Sequence, residues 1–206
     1  MSKQTEKGED DRLIGDFLIG NKSSFDRLVL RYQNRVVNLC FRMTGDYEEA
    51  VDCAQEIFVK VFRSLDHFRF QSSFSTWLYR ITVNTCKNRL SSFKYRFHRK
   101  MIRLDEIPRT DGDCRTGRNS PNPGQREIVN GSASPADVLE RRENEALLQK
   151  AIDSLPKTHK AALVLRDIEG LSYEEIGSIL GCGLGTVKSR IARARDQLRH
   201  TLEGMM

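Results

Sequence analysis

From Asp11 to about Lys100 the chain contains no proline, and glycine interrupts it only at Gly15, Gly20 and Gly45. Ninety residues with so few breakers, and with apolar residues recurring at steps of three and four, can hardly be anything but a run of amphipathic helices. One helix is expected from about Ser23 to Met43, with Phe25, Leu28, Val29, Tyr32, Val36, Leu39 and Cys40 as its apolar stripe. A second should begin after Gly45, where Asp46 can cap and Glu49 completes the capping pattern, with Ala50, Ala54, Phe58, Val61, Phe62 and Leu65 facing inward. After an irregular stretch over 66–73, a third should run from Phe74 through Trp77, Leu78 and Ile81 to Leu90.

The pattern then breaks. Residues 105–135 hold all but one of the five prolines and little that could be buried, so 104–135 reads as a flexible linker. Helical periodicity resumes through Ala136–Leu155, Lys157–Asp167, Ser172–Leu180 and Thr186 to about Leu202. The expectation is an all-α chain with two small helical domains, 11–103 and 136–204. The last two helices carry the best-marked boundary. Ser172 and Glu175 form a capping box, Leu171 and Ile176 a hydrophobic staple, and Gly181 a left-handed stop before a short glycine-containing turn. Helix, tight turn and helix is the helix-turn-helix arrangement. In GTVKSRIARAR and beyond, Val187, Ile191, Ala194 and Leu198 share one face, while Lys188, Ser189, Ala192, Arg193, Asp196 and Arg199 turn the other way. A small, basic outward face suits the major groove, because Arg and Lys donate to guanine or phosphate and Ala permits close approach.

Charge agrees with this. The net charge is +6, the pI is near 9.2, and residues 80–103 hold eight Lys or Arg and no Asp or Glu. In the same region Phe68, Phe70, Phe74, Trp77 and Tyr79 interleave with Arg69, Arg80, Lys87 and Arg89. Aromatic faces among cations are what unstacked bases and phosphates require. Phe74 and Leu78 read as core. Phe68 and Phe70 in a polar loop, and Asn84 on a basic helix face, have no evident packing reason and read as functional. Asp52, Gln55 and Glu56 cluster on the side of their helix away from the core.

Other chemistries find little support. The five cysteines are odd in number, widely spaced and never in a C-x-x-C pair, and His67, His98, His159 and His200 form no ligand-spaced pair. Neither a metal site nor a cofactor is expected, and no nucleophile with an adjacent base marks an enzyme. No stretch approaches a membrane span or a signal peptide, so a cytoplasmic chain without membrane insertion is expected.

Several strings in order, FDRLVLRYQNRV, D-x-x-Q-E-x-F at 52–58, FSTWLYRITVNTCKNRL, SLPKTHKAALVLRDIEGLSYEEIG and GTVKSRIARAR, resemble the bacterial extracytoplasmic-function sigma factors of the RpoE/SigW kind. The resemblance covers nearly all of the chain outside the linker. It implies a promoter-specificity subunit of RNA polymerase, with 11–103 similar to sigma region 2 and 136–204 similar to region 4. By that similarity Asp52, Gln55 and Glu56 would contact the β′ clamp helices of core polymerase. Phe68, Trp77, Tyr79, Arg80, Asn84 and Lys87 would open and read the −10 element, and Phe70, read as functional from its place in the polar loop, is expected to act there with them. Lys188, Ser189, Arg190 and Arg193 would read the −35 element. The β flap, promoter DNA and an anti-sigma factor are the other implied partners. Phe70 and Gln71 stand where the family often has small or acidic residues. The alternative is a stand-alone helix-turn-helix regulator, which would leave Asp52, Gln55 and Glu56 unexplained.

The linker length sets a limit. Two promoter elements roughly 17 base pairs apart are separated by roughly 58 Å. A free coil of about 31 residues spans only about 30 Å on average, and on the order of 100 Å when stretched. Deleting about 20 linker residues leaves a reach of roughly 40 Å. Such a deletion should keep binding to core polymerase and lose −35-dependent transcription in a reconstituted initiation assay.

Overall fold

The computed structural model describes residues 3–92 and 135–205, whose regular elements are all helical, with no strand among the described residues. The first unit comprises α1 (Lys3–Leu18), α2 (Ser23–Thr44), α3 (Tyr47–Ser64), a 3-10 turn (Leu65–His67) and α4 (Phe74–Ser91). The second comprises α5 (Pro135–Asp153), α6 (Lys157–Leu163) continuing into a π-helical turn (Val164–Ile168), α7 (Tyr173–Leu180) and α8 (Leu184–Glu203). The expected linker lies outside the described residues.

Local signals explain the boundaries. The left-handed Gly45 ends α2, its N–H donating to the Phe41 carbonyl at 2.8 Å. Asp46 then caps α3 by accepting from the Glu49 N–H at 2.8 Å, and Ser73 caps α4 by accepting from the Thr76 N–H. The full capping box at Ser172 and Glu175 starts α7, and left-handed Gly181 stops it. The last helix begins two residues earlier than expected, because the Val187 N–H already finds the Gly183 carbonyl at 3.1 Å. The helix expected to reach Asp167 widens from Val164, where the Glu169 N–H bonds to the Val164 carbonyl.

The core of the first unit is built as its periodicity suggests, with Leu28, Tyr32, Val36 and Leu39 meeting Ala50, Ala54, Ile57 and Val61. Three details differ. Phe62, expected inside, is 42% exposed, and its ring instead packs edge-on against Phe17 and Phe25. The domain start expected at residue 11 falls inside α1, whose Leu13 and Ile14 are buried. The Asp10 carboxylate is buried too, accepting from Tyr32 and Arg31 of α2.

Both units share one continuous apolar core, and a polar seam crosses it. Buried Lys160 donates to Asp153 at 2.8 Å and to the Met43 carbonyl at 3.3 Å, and Arg42 donates to Gln149 at 3.1 Å. Gly45 faces this seam so closely that an added Cβ would lie 2.3 Å from an Asp153 carboxylate oxygen. Gly170 has a similar positive φ of 66° with nothing near its Cβ position. Gly170→Ala should therefore cost only backbone strain, about 1 kcal/mol. Gly45→Ala adds displacement of Asp153 and should cost at least twice as much in urea unfolding. Equal losses would mean that Asp153 yields freely.

Candidate nucleic-acid interface

Three solvent-facing surfaces emerge. The first is the outer side of α8. Val187, Ile191 and Ala194 are buried and Leu198 is half-buried, so Lys188, Ser189, Ala192 and Arg193 are exposed side by side. Ser189 tucks its hydroxyl back onto the Thr186 carbonyl at 3.0 Å. Arg195 is held by Asp167 of the π-helical turn at 3.0 Å, which ties α8 to the end of α6. The turn between α7 and α8 is tight. A Cβ at Gly177 would meet the Cys182 carbonyl at 2.9 Å, while the Cys182 N–H bonds the Gly177 carbonyl at 3.1 Å. Arg190 stands apart from its expected companions. It is half-buried, donates to Cys182 Sγ at 3.5 Å, and its charge adds to burial in lowering the pKa of Lys87 across the seam.

The second surface is α4 with the loop before it. Trp77, Arg80, Asn84 and Lys87 follow one another at steps of three and four, so they form a stripe, with Arg80 and Asn84 exposed. At the head of that stripe the rings of Phe68, Phe70, Phe74 and Trp77 form a cluster, with centroids 5.0–6.2 Å apart. Phe68 does have a packing reason, contrary to expectation. It is buried at the centre of the cluster because the loop folds back over α4. Phe70 is the ring left outside, 41% exposed, and it has a backbone φ of 55°. No other non-glycine among the described residues has a positive φ, a conformation unfavourable for a bulky side chain.

Tyr79 is also placed differently. It is buried, and its hydroxyl donates to Glu169 of the second unit at 2.8 Å. Burial lifts the Glu169 carboxyl above its ordinary pKa, outweighing the opposing effects of Tyr79 and Arg35. Next to it Arg80 donates to the Ser178 carbonyl at 2.6 Å and to its hydroxyl at 3.0 Å. Part of the expected −10 surface is thus engaged by Ser178 of α7 and by Glu169, just after the π-helical turn.

The third surface is the outer side of α3, where Asp52, Gln55 and Glu56 are exposed together. Arg89, expected among the DNA-facing cations, turns instead to these carboxylates. Its guanidinium binds Glu49 at 2.6 Å and lies 3.7 Å from Asp52 and 3.6 Å from Glu56, while Lys60 pairs with Glu56 at 2.6 Å. Sequence spacing missed Glu49 and Arg89 as the organisers of this face, since the arginine comes from another helix.

The Tyr79 and Arg80 contacts hold the two units together through hydrogen bonds that each include an ionisable group, the Glu169 carboxyl in one and the Arg80 guanidinium in the other. Such bonds contribute on the order of 1–2 kcal/mol each. The double variant Tyr79→Phe/Arg80→Ala should keep its helicity but exchange amide hydrogens faster over 173–180, and should show a larger radius of gyration in solution scattering.

Comparison with known proteins fits this geometry. The Sigma-70 region 2 family model matches residues 28–94, and the Sigma-70 region 4 model matches residues 145–198. The RNA polymerase sigma-H factor of Pseudomonas aeruginosa is 37% identical over 198 residues, 96% of both chains. The ECF RNA polymerase sigma-E factor of Escherichia coli is 37% identical over 205 residues, 98% of both. Among solved structures, CnrH in complex with the cytosolic domain of CnrY has a TM-score of 0.64 at 23% identity, covering 95% of this chain and 98% of that one. The sigma factor RpoE in complex with the anti-sigma factor NepR from Bartonella quintana has a TM-score of 0.56 at 22% identity, covering 87% and 96%. Two sigma regions in order, on a helical frame shared with full-length relatives, place this chain in the extracytoplasmic-function family of RNA polymerase sigma factors.

Proposed function

We propose that the chain binds core RNA polymerase through α3 and confers promoter specificity through α4 and α8, as a non-enzymatic subunit acting in the cytoplasm. Asp52, Gln55 and Glu56 contact the β′ clamp helices. Phe70, Trp77, Arg80, Asn84 and Lys87 act on the opened −10 strand, with Phe68 as the buried floor beneath Phe70 and with Tyr79 beside them. Lys188, Ser189 and Arg193 read the −35 duplex, with Arg190 at their inner edge, while the β flap receives the second unit. The region 2 role belongs to 11–103 and the region 4 role to 136–204.

One observation carries the reading. α3 buries Ala50, Cys53, Ala54, Ile57 and Val61, yet it presents Asp52, Gln55 and Glu56 together as exposed side chains, with only Arg89 of α4 reaching across to the two carboxylates. A stand-alone helix-turn-helix regulator has no use for that face. Tyr79 and Arg80 must leave Glu169 and Ser178 before they reach DNA, so promoter engagement separates the units, and an anti-sigma factor acts by preventing it.

Changing Asp52, Gln55 and Glu56 together to Ala should weaken core binding by at least tens-fold, as loss of an interface centre does, with circular dichroism unchanged. Normal assembly would sink the proposal. Arg193→Ala should shift the ranking of a randomised −35 library, since a bidentate base contact contributes roughly 1–3 kcal/mol of discrimination. An unchanged ranking would reduce Arg193 to a phosphate contact.

A further inference from the structure

Cys40 of α2, Cys53 of α3 and Cys86 of α4 are free thiols, each fully buried, and they meet in the core of the first unit. The Cys53 and Cys86 sulfurs are 3.7 Å apart, those of Cys86 and Cys40 3.6 Å apart, and all three lie within 4.8 Å of one another. Nothing in their sequence spacing announces this, because each comes from a different helix. None of the three surfaces described above uses them.

Thiols can fill a core as small apolar groups, but this triangle has the dimensions of a ligand set. An atom bonded to three sulfurs at about 2.3 Å holds them roughly 4.0 Å apart when it lies in their plane, and closer when it sits above it. Two of the three sulfur pairs are therefore already at bonding separation, and the third, within 4.8 Å, needs at most about 1 Å of side-chain adjustment. Among the described residues no His, Asp or Glu joins the group. A tetrahedral ion such as zinc would lack its fourth ligand. Charge narrows the choice further. Three thiolates on a divalent ion leave one negative charge in the core. The cations nearest Cys53, Arg89 and Lys60, are already paired with Glu49 and Glu56. A buried uncompensated charge is strongly disfavoured, whereas three thiolates on a trivalent centre are neutral.

We propose that Cys40, Cys53 and Cys86 form a three-thiol site for a trivalent thiophilic metalloid, of which arsenous acid is the simplest form. In the reaction three As–O bonds break and three As–S bonds form. Each thiol proton leaves with a hydroxide as water, so arsenous acid and three thiols give the trithiolate and three waters. Arsenic remains trivalent, no electrons are transferred, and the core stays uncharged. The product ties α2, α3 and α4 together at one level. Because the thiols are sealed from solvent, loading requires local opening of the bundle and is slow.

The full-length Cys114→Ala/Cys182→Ala variant retains only these three of the five cysteines, and reduced sodium arsenite is the probe. Native mass spectrometry should show one arsenic per chain, with the mass of three hydrogens lost. The melting temperature should rise by roughly 5 °C or more at about 100 times the Kd. Adding Cys40→Ala, Cys53→Ala or Cys86→Ala should each weaken binding at least tens-fold. No arsenic on the folded three-cysteine protein, loss of fewer than three hydrogens, or tighter binding of zinc than of arsenite would overturn the proposal. Those readings need only the three-cysteine protein, so they decide the matter even if an alanine variant fails to fold.

Discussion

Lys160 has 3% of its surface exposed, and the way the two units meet depends on how its buried side-chain nitrogen is satisfied. Asp153 supplies the opposite charge and the Met43 carbonyl a further acceptor, so one ammonium joins α5, α6 and the end of α2. Removing one partner of such a buried pair typically costs about 3–5 kcal/mol, because the other is left desolvated and uncompensated. The pair is also directional in a way that an apolar contact is not. It admits one placement of the α2–α3 corner, and Gly45, lacking a side chain, leaves the space that Asp153 occupies. A local turn signal, a buried ion pair and the docking of two domains are thus links in one chain of causes.

Most of the helices were legible because their ends are written in capping chemistry that acts over three or four residues. Asp46 with Glu49 and Ser172 with Glu175 need no tertiary context. What was not legible depends on distant partners. Phe68 showed no packing reason in its polar loop, yet the loop folds it against Phe74 and Trp77, and Tyr79 finds its hydroxyl acceptor 90 residues away. Arg89 sits in a basic run yet turns to carboxylates on another helix. The buried thiols were invisible for the same reason, since residues 13 and 33 apart in sequence share no pattern. The outward face of α8 was readable from helical periodicity alone, whereas the diversion of Arg190 to Cys182 was not.

The surfaces divide by how much freedom they retain. Lys188, Ser189 and Arg193 stand clear on a helix whose inner face is fixed by apolar packing, so the role proposed for them on duplex DNA requires little rearrangement. The α4 stripe is different, because the second unit already occupies some of its hydrogen-bonding capacity. The aromatic cluster compensates by being prepared in advance. Phe68, itself packed on Phe74 and Trp77, supports the half-exposed Phe70 ring edge-on, and the Phe70 backbone has a positive φ. Stacking on a held ring loses less conformational entropy than stacking on a free one.

The close approach at Gly177 works at a distance. Helix α8 is 20 residues long, or about 30 Å, and its angle to α7 is set where the missing Gly177 side chain lets the Cys182 carbonyl come in. Helix α8 is a lever with its fulcrum at that turn. A tilt of about 10° would swing its far end by roughly 5 Å, more than the roughly 3.4 Å rise between stacked base pairs. Substitutions that never touch DNA can therefore shift which base step lies within reach, and the register of recognition is set in part by a hydrogen atom where other residues carry carbon.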